Sequence, residues 1–227
     1  MRATALRCRI RTMQVQDIPQ VLDIERQSFP SAWPQTVYKR ELSNRMARYL
    51  VACEPAEAAE SEPGPPAPGQ GVGGLVRRFL GGPPETPASN ERILGMVGLW
   101  FMIAEGHIVT IAVRTECRRQ GLGELLLIAA LEAALEAQQE EVTLEYRISN
   151  GAARALYEKY GFAQAGVRVR YYTDNGEDAV LMTTPPLRSP EYRRLLVGRI
   201  AEQRARWGPD YPLAGRVDGL VGTDRSR

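Results

Sequence analysis

The stretch from residue 107 to residue 138 constrains this chain more than any other. HIVTIAV (107–113) is dominated by β-branched residues and suits a strand. Gly121–Gln138 follows as a helix of strong formers, with leucines and alanines on its buried side. Between them lies Arg118-Arg-Gln-Gly-Leu-Gly123, and after the helix Val142–Arg147 reads as another strand. A strand that enters a long helix through a glycine turn and returns as a strand belongs to a layered α/β architecture.

The flanking segments fill in that architecture. Arg7–Met13 suits a strand, and Asp17–Ser28 places Ile18, Val21, Leu22 and Ile24 at helical spacing, with Pro19 tolerated in the first turn. Phe29-Pro-Ser-Ala-Trp-Pro34 interrupts before a second helix, Gln35–Ser43, and Tyr49–Cys53 is strand-like. Ile93–Ile103 reads as a long apolar strand and Gly106 as the turn that follows it. Ala152–Tyr160 is a short helix closed by Gly161. Phe162–Arg170 and Ala179–Thr184 suit antiparallel strands joined by Thr-Asp-Asn-Gly (173–176). The expectation is a mixed central sheet covered by helices, within one domain over residues 7–185.

Two segments stand outside this pattern. Residues 54–90 contain eight of the 16 prolines and seven of the 21 glycines, a level that marks low complexity, so a disordered insertion is expected. Within it, Leu75–Leu80 forms a small apolar and basic island. Residues 186–227 make a C-terminal extension, in which 190–207 resumes a helical pattern with Tyr192, Leu195, Leu196 and Ile200 on one face and many arginines elsewhere. Packing back on its own domain is the expected use of that helix; a basic arm for RNA is the alternative.

Composition excludes several classes of function. Twenty-nine Lys and Arg against 27 Asp and Glu leave +2, which is no nucleic-acid binder's signature. The single histidine, His107, excludes a His-rich zinc site and is expected to be structural at its strand start. Three scattered cysteines without a CxxC pair fit a reducing compartment; Cys117, beside the glycine turn, is read as incidental. No apolar run reaches 18 residues and the N-terminus lacks an apolar signal core, so a cytoplasmic location without membrane contact is expected.

Two features carry chemistry. In Arg118-x-x-Gly121-x-Gly123, glycines let backbone amides face outward at the positive end of a helix, which suits a pyrophosphate, with Arg114, Arg118 and Arg119 adding charge. The run is neither a Walker loop nor the three-glycine dinucleotide fingerprint. In the strand 142–147, Glu145 alternates onto the less apolar face with Thr143 and Arg147; the plain structural reading is a solvated or salt-bridged glutamate, with Arg147 as a candidate partner. Tyr157 sits beside Leu156 on the short helix, where a tyrosine is usually core cover with a wet hydroxyl.

At these residues the sequence resembles the GNAT-type N-acetyltransferases. Arg118-x-x-Gly121-x-Gly123 resembles their acetyl-CoA pyrophosphate loop. The blocks HIVTIAV (107–113), LEYRISN (144–150), ALYEKYGF (155–162) and YYTDNGEDA (171–179), with the early FPSAWP (29–34), narrow the resemblance to the RimI-type protein N-terminal acetyltransferases. The familiar Leu-Glu-Val-Arg run is Leu-Glu-Tyr-Arg here, which leaves the glutamate in place.

The resemblance implies a GNAT fold and a set of roles. Glu145 matches the general base and Tyr157 the general acid. The backbone of Ile111, Ala112 and Val113 matches the stretch that holds the pantetheine and thioester. Arg118, Arg119, Gln120, Gly121, Leu122, Gly123 and Glu124 match the pyrophosphate cradle, and Asn150 a side chain that contacts CoA. Trp33, Tyr171 and Tyr172 would line the acceptor-peptide entry. The co-substrate implied is acetyl-CoA, and neither a metal nor a covalent enzyme intermediate is required. An α-amine with a pKa near ~8 must lose a proton before attack, the oxyanion can be met by strand amides, and the departing thiolate can take a proton from a phenol. The implied acceptor is the N-terminal alanine of small-subunit ribosomal protein eighteen or a similar N-terminus. The alternatives are transfer to a small amine or lysine, and a CoA-binding interaction module without turnover.

Overall fold

The computed structural model describes residues 8–30, 34–54 and 91–213. Trp33, the island at 75–80 and residues 55–90 of the expected insertion lie outside the described residues, as does the chain after residue 213.

Seven strands form one sheet in the order β1-β2-β3-β4-β5-β7-β6. They are β1 (Arg9–Thr12), β2 (Ala47–Cys53), β3 (Ile93–Phe101), β4 (Glu105–Val113), β5 (Glu141–Arg147), β6 (Ala163–Tyr172) and β7 (Glu177–Thr183). Among the described residues five helices flank it: α1 (Ile18–Ser28), α2 (Gln35–Leu42), α3 (Leu122–Glu136), α4 (Gly151–Lys159) and α5 (Pro190–Trp207). All neighbouring strands pair antiparallel except β4 and β5, which are parallel because α3 carries the chain back between them. The expected mixed sheet is the observed one.

Alternation along β2 explains the two-layer core. Tyr49, Val51 and Cys53 face α1 and α2, in a cluster with Ile18, Val21, Ile24 and Tyr38. Leu50 and Ala52 face the other layer with α3. The central β3 is apolar on both faces and buried along nearly its whole length, as a strand between two helical layers must be.

α3 is buried almost all round, which one sheet face cannot achieve. The cover comes from the extension: Leu187, Tyr192, Leu196, Ile200, Tyr211 and Leu213 join the core cluster of α3. The arginine-bearing helix therefore packs back on its own domain.

Gly106 is a correction. It lies inside β4, paired with Phe101, and the turn instead spans Met102–Ala104, closed by the Met102 amide on the Glu105 carbonyl at 2.8 Å. A Cβ at residue 106 would stand 3.3 Å from the Ala134 methyl, so the glycine is there to let α3 approach the sheet.

Candidate active site

The parallel pairing of β4 with β5 runs from Glu105↔Glu141 to Ile108↔Leu144 and stops. Beyond it the two strands part, and a cleft of about 410 Å³ opens between them. Arg114 donates its backbone N–H to the Leu94 carbonyl on β3 at 2.9 Å. Since amides alternate along a strand, Ala112 also faces β3, while the amides of Ile111 and Val113 face the gap. Two backbone donors thus point to where β5 would have continued pairing.

Glu145 stands on the opposite wall with its side chain largely buried, at 8% exposure. Its Oε2 lies 3.1 Å from Nε2 of His107, and Oε1 accepts from Nε of Arg168 at 2.9 Å. The plain reading of Glu145 paired with Arg147 is overturned: Arg147 bonds Asp174 at 2.9 Å and Glu177 at 3.4 Å, and stacks on the Tyr172 ring at 3.8 Å. The hydrogen bond from His107 lowers the Glu145 pKa most; burial opposes it, and the charges of His107 and Arg168 add to the lowering.

His107, expected to be merely structural, is therefore a cleft residue. The parallel register sets it opposite Thr143, two residues before Glu145, so the imidazole reaches both. Nδ1 lies 2.8 Å from the Thr143 hydroxyl, which in turn donates to the Glu105 carboxylate. Having given its one proton to Glu105, Thr143 can only accept from Nδ1. The imidazole thus stands between the Thr143 hydroxyl and the Glu145 carboxylate, one ring nitrogen facing each.

Tyr157 lines the same cleft from α4, its ring tilted against Tyr146 and Phe162 at 5.8 Å centroid distances. Its hydroxyl has no hydrogen-bond partner among the described residues, and burial pushes the phenol pKa up, with smaller contributions from Tyr172 and Tyr146. A phenol held in that way keeps its proton until a strong base needs it. Tyr171 and Tyr172, at the end of β6, form the rim in an edge-to-face pair at 5.3 Å, and burial raises Tyr172 to about 12.

Asn150 caps α4, its side-chain oxygen accepting from the Ala153 amide at 3.1 Å, which leaves its amide nitrogen for the cleft it lines. Next to it, the Ser149 amide binds Glu177 at 2.8 Å, tying the β5–α4 turn to the β6–β7 hairpin.

The glycine turn lies where α3 begins. Gly121 has φ +90° and Arg119 φ +64°, so the backbone curls before the helix. Leu125 supplies the first intrahelical bond, to the Gly121 carbonyl at 3.0 Å, which leaves the amides of Leu122, Gly123 and Glu124 free of helical partners. A Cβ at Gly123 would meet nothing nearer than 4.0 Å, so this face is open to a ligand. The side chains do other work. Arg118 ties the turn to the Val113 carbonyl at 3.1 Å and the Ser28 hydroxyl at 3.1 Å. Gln120 bonds the Glu116 carbonyl at 3.1 Å. Glu124 turns inward to Lys159 and to the Tyr160 hydroxyl, so only its backbone can serve a cradle. Arg119 is exposed and points its charge into solvent.

The comparisons with known proteins agree with this geometry. The sequence profile of the Acetyltransferase (GNAT) family matches residues 83–162. A Bacillus subtilis (strain 168) protein is 32% identical over 174 residues, 76% of this chain and 92% of its own length; its name provisionally assigns it to ribosomal protein bS18-alanine N-acetylation. The chain belongs to the GNAT acetyltransferases. An N-alpha-acetyltransferase of Sulfurisphaera tokodaii is 34% identical over 178 residues, 78% of this chain and 92% of that one. The crystal structure of the ribosomal-protein-S18-alanine N-acetyltransferase from Escherichia coli shares the fold, with a TM-score of 0.57 at 23% identity over 79% of this chain and 94% of the other. This GNAT chain is an acetyl-CoA-dependent N-acetyltransferase, and its histidine, missed as a site residue from sequence, is one of the groups nearest its cleft carboxylate.

Proposed function

We propose that this enzyme acetylates the α-amine of protein N-termini, with a ribosomal-protein N-terminus beginning in alanine as the favoured acceptor, and that Glu145 and Tyr157 are its base and acid. The observation that carries this reading is the placement of an ionised carboxylate and a proton-holding phenol around one cleft, at the point where β4 stops pairing. The names of the relatives from Bacillus subtilis and Sulfurisphaera tokodaii support the α-amine.

Acetyl-CoA supplies an acetyl thioester when bound. The residues present fit it: three unpartnered amides at the start of α3 suit its pyrophosphate, the Ile111 and Val113 amides suit its amide-bearing arm and carbonyl, and Asn150 keeps a donor toward the cleft. Glu145, coupled to His107, takes the proton of the entering ammonium, whose free pKa is near ~8. Tyr157 holds a proton at its phenol oxygen for the departing sulfur. Tyr171 and Tyr172 make the acceptor entry.

The test is acetyl-CoA-dependent thiol release with a short Ala-starting peptide, run beside the same peptide blocked at its N-terminus. Turnover with the free peptide alone is expected. Equal turnover with both would assign the reaction to a side-chain amine, and turnover only with a free polyamine would replace the acceptor class.

A further inference from the structure

The extension beyond residue 186 lies outside the blocks that resemble the family, yet one face of α5 runs straight to the glycine turn. Tyr192, Leu196 and Ile200 are each 2% exposed and set which face meets the core. Three and seven residues on from Ile200, the same face presents Gln203 and Trp207. Gln203 is also 2% exposed, and its Nε2 donates to the Gly121 carbonyl at 3.2 Å. A Cβ built on Gly121 would stand 3.2 Å from Gln203 Nε2, 3.5 Å from Trp207 Nε1 and 3.8 Å from the Arg206 guanidinium carbon.

We propose that the last turn of α5 is part of the donor site, with Gln203 a positioning residue for the glycine turn and Arg206 an added cation facing the phosphates of the CoA moiety. The inference rests on the reading of this turn as the pyrophosphate cradle. Its physical basis is the planarity of the peptide unit. The carbonyl of Gly121 and the N–H of Leu122 belong to one trans plane and point in opposite directions. Holding the carbonyl inward, with Gln203 and the Leu125 amide as its two donors, aims the Leu122 amide outward. A buried glutamine is otherwise a poor choice for a core face, because its amide requires a partner there.

The charge arrangement agrees. Glu124 would repel a phosphate at this spot, but Lys159 and Tyr160 hold it inward, with Arg206 3.9 Å away. α5 also fixes this support, since Arg199 bonds the Lys159 carbonyl at 3.2 Å and the Tyr192 hydroxyl bonds the Tyr160 carbonyl at 3.1 Å. Arg206 remains 56% exposed, free to reach outward.

Three full-length variants test this by steady-state kinetics and thermal unfolding on the same samples. Gly123→Asp, whose Cβ would make only ordinary contacts at 4.0 Å with Leu156 and Val113, places a carboxylate in the cradle and is expected to raise the KM for acetyl-CoA at least about tenfold. Gln203→Met keeps the volume and removes the amide; the acetyl-CoA KM is expected to rise about three- to tenfold, the worth of one hydrogen bond, while kcat and the peptide KM stay at parent values. Arg206→Gln is expected to raise the same KM by a factor that shrinks with added salt. If Gly123→Asp raises the KM while Gln203→Met and Arg206→Gln leave it at the parent value, the inference falls and the cradle stands. If Gly123→Asp changes nothing, the cradle itself is misassigned and the inference falls with it. A rise shared equally by both KM values and by the loss of thermal stability would make α5 a structural cover only and overturns it.

Discussion

His107 Nε2 lies 3.1 Å from Glu145 Oε2, which sets an imidazole directly against the carboxylate proposed as the base. Replacing His107 with Leu removes the largest cause of the lowered Glu145 pKa, so the carboxylate pKa rises. The sign follows: a carboxylate with a higher pKa is protonated at higher pH, so the acid limb of kcat/KM moves toward neutral and the rate falls below it. A pH–rate profile superimposable on the parent's would show that the Glu145 carboxylate does not titrate in catalysis.

Tyr157→Phe separates chemistry from folding. The hydroxyl has no partner among the described residues, so its loss leaves no orphaned group and stability should stay within about 0.5 kcal/mol of parent. The rate is expected to drop about a hundredfold in kcat, with KM for both substrates near parent, as for a removed general acid. Single-turnover rates and thermal unfolding on one preparation check both statements.

Glu177 gives a stability prediction. Hydrogen bonding from Ser149, by its side chain first and its amide second, leads the causes that bring its pKa from 4.5 to about 2, with Asn175 and Arg147 assisting. A depressed carboxylate stabilises the fold above its unfolded-state pKa and loses that contribution as pH falls through the folded value. Parent and Glu177→Gln should therefore differ in denaturation midpoint near neutrality and converge between pH 4.5 and about 2. A gap that persists unchanged at the acid end would contradict the assignment.

Gly98→Ala tests packing. Gly98 pairs across the sheet with Tyr49, and an added Cβ would fall 2.3 Å from the Tyr49 ring. The ring is fully buried against Tyr38, so it has nowhere to retreat, and a loss of about 1–3 kcal/mol in urea titrations is expected.

What could be read from the sequence was local. Strand and helix periods, the glycine turn before α3, and the block around Glu145 and Tyr157 each lie within a few residues of themselves. What could not be read depends on register between distant segments. His107 meets Glu145 only because β4 and β5 pair parallel at His107↔Thr143, and Arg168 arrives from β6 through β7. Glu145 and Arg147 looked like partners because they share a strand face, but the hairpin brings Asp174 and Glu177 to the arginine first. Gly106 was misread because a glycine before a β-branched run signals a turn as readily as a close helix approach.

The abandonment of pairing after Ile108 has a thermodynamic side. Backbone amides at Ile111 and Val113 are left to be satisfied by solvent or by whatever enters, so part of the sheet's cohesion is supplied from outside the polypeptide. A molecule that completes those bonds binds the native chain and not the unfolded one, and by mass action raises its resistance to heat in proportion to the logarithm of its concentration. On the proposed reading that molecule is the acyl donor, and adding it should raise the midpoint of thermal unfolding.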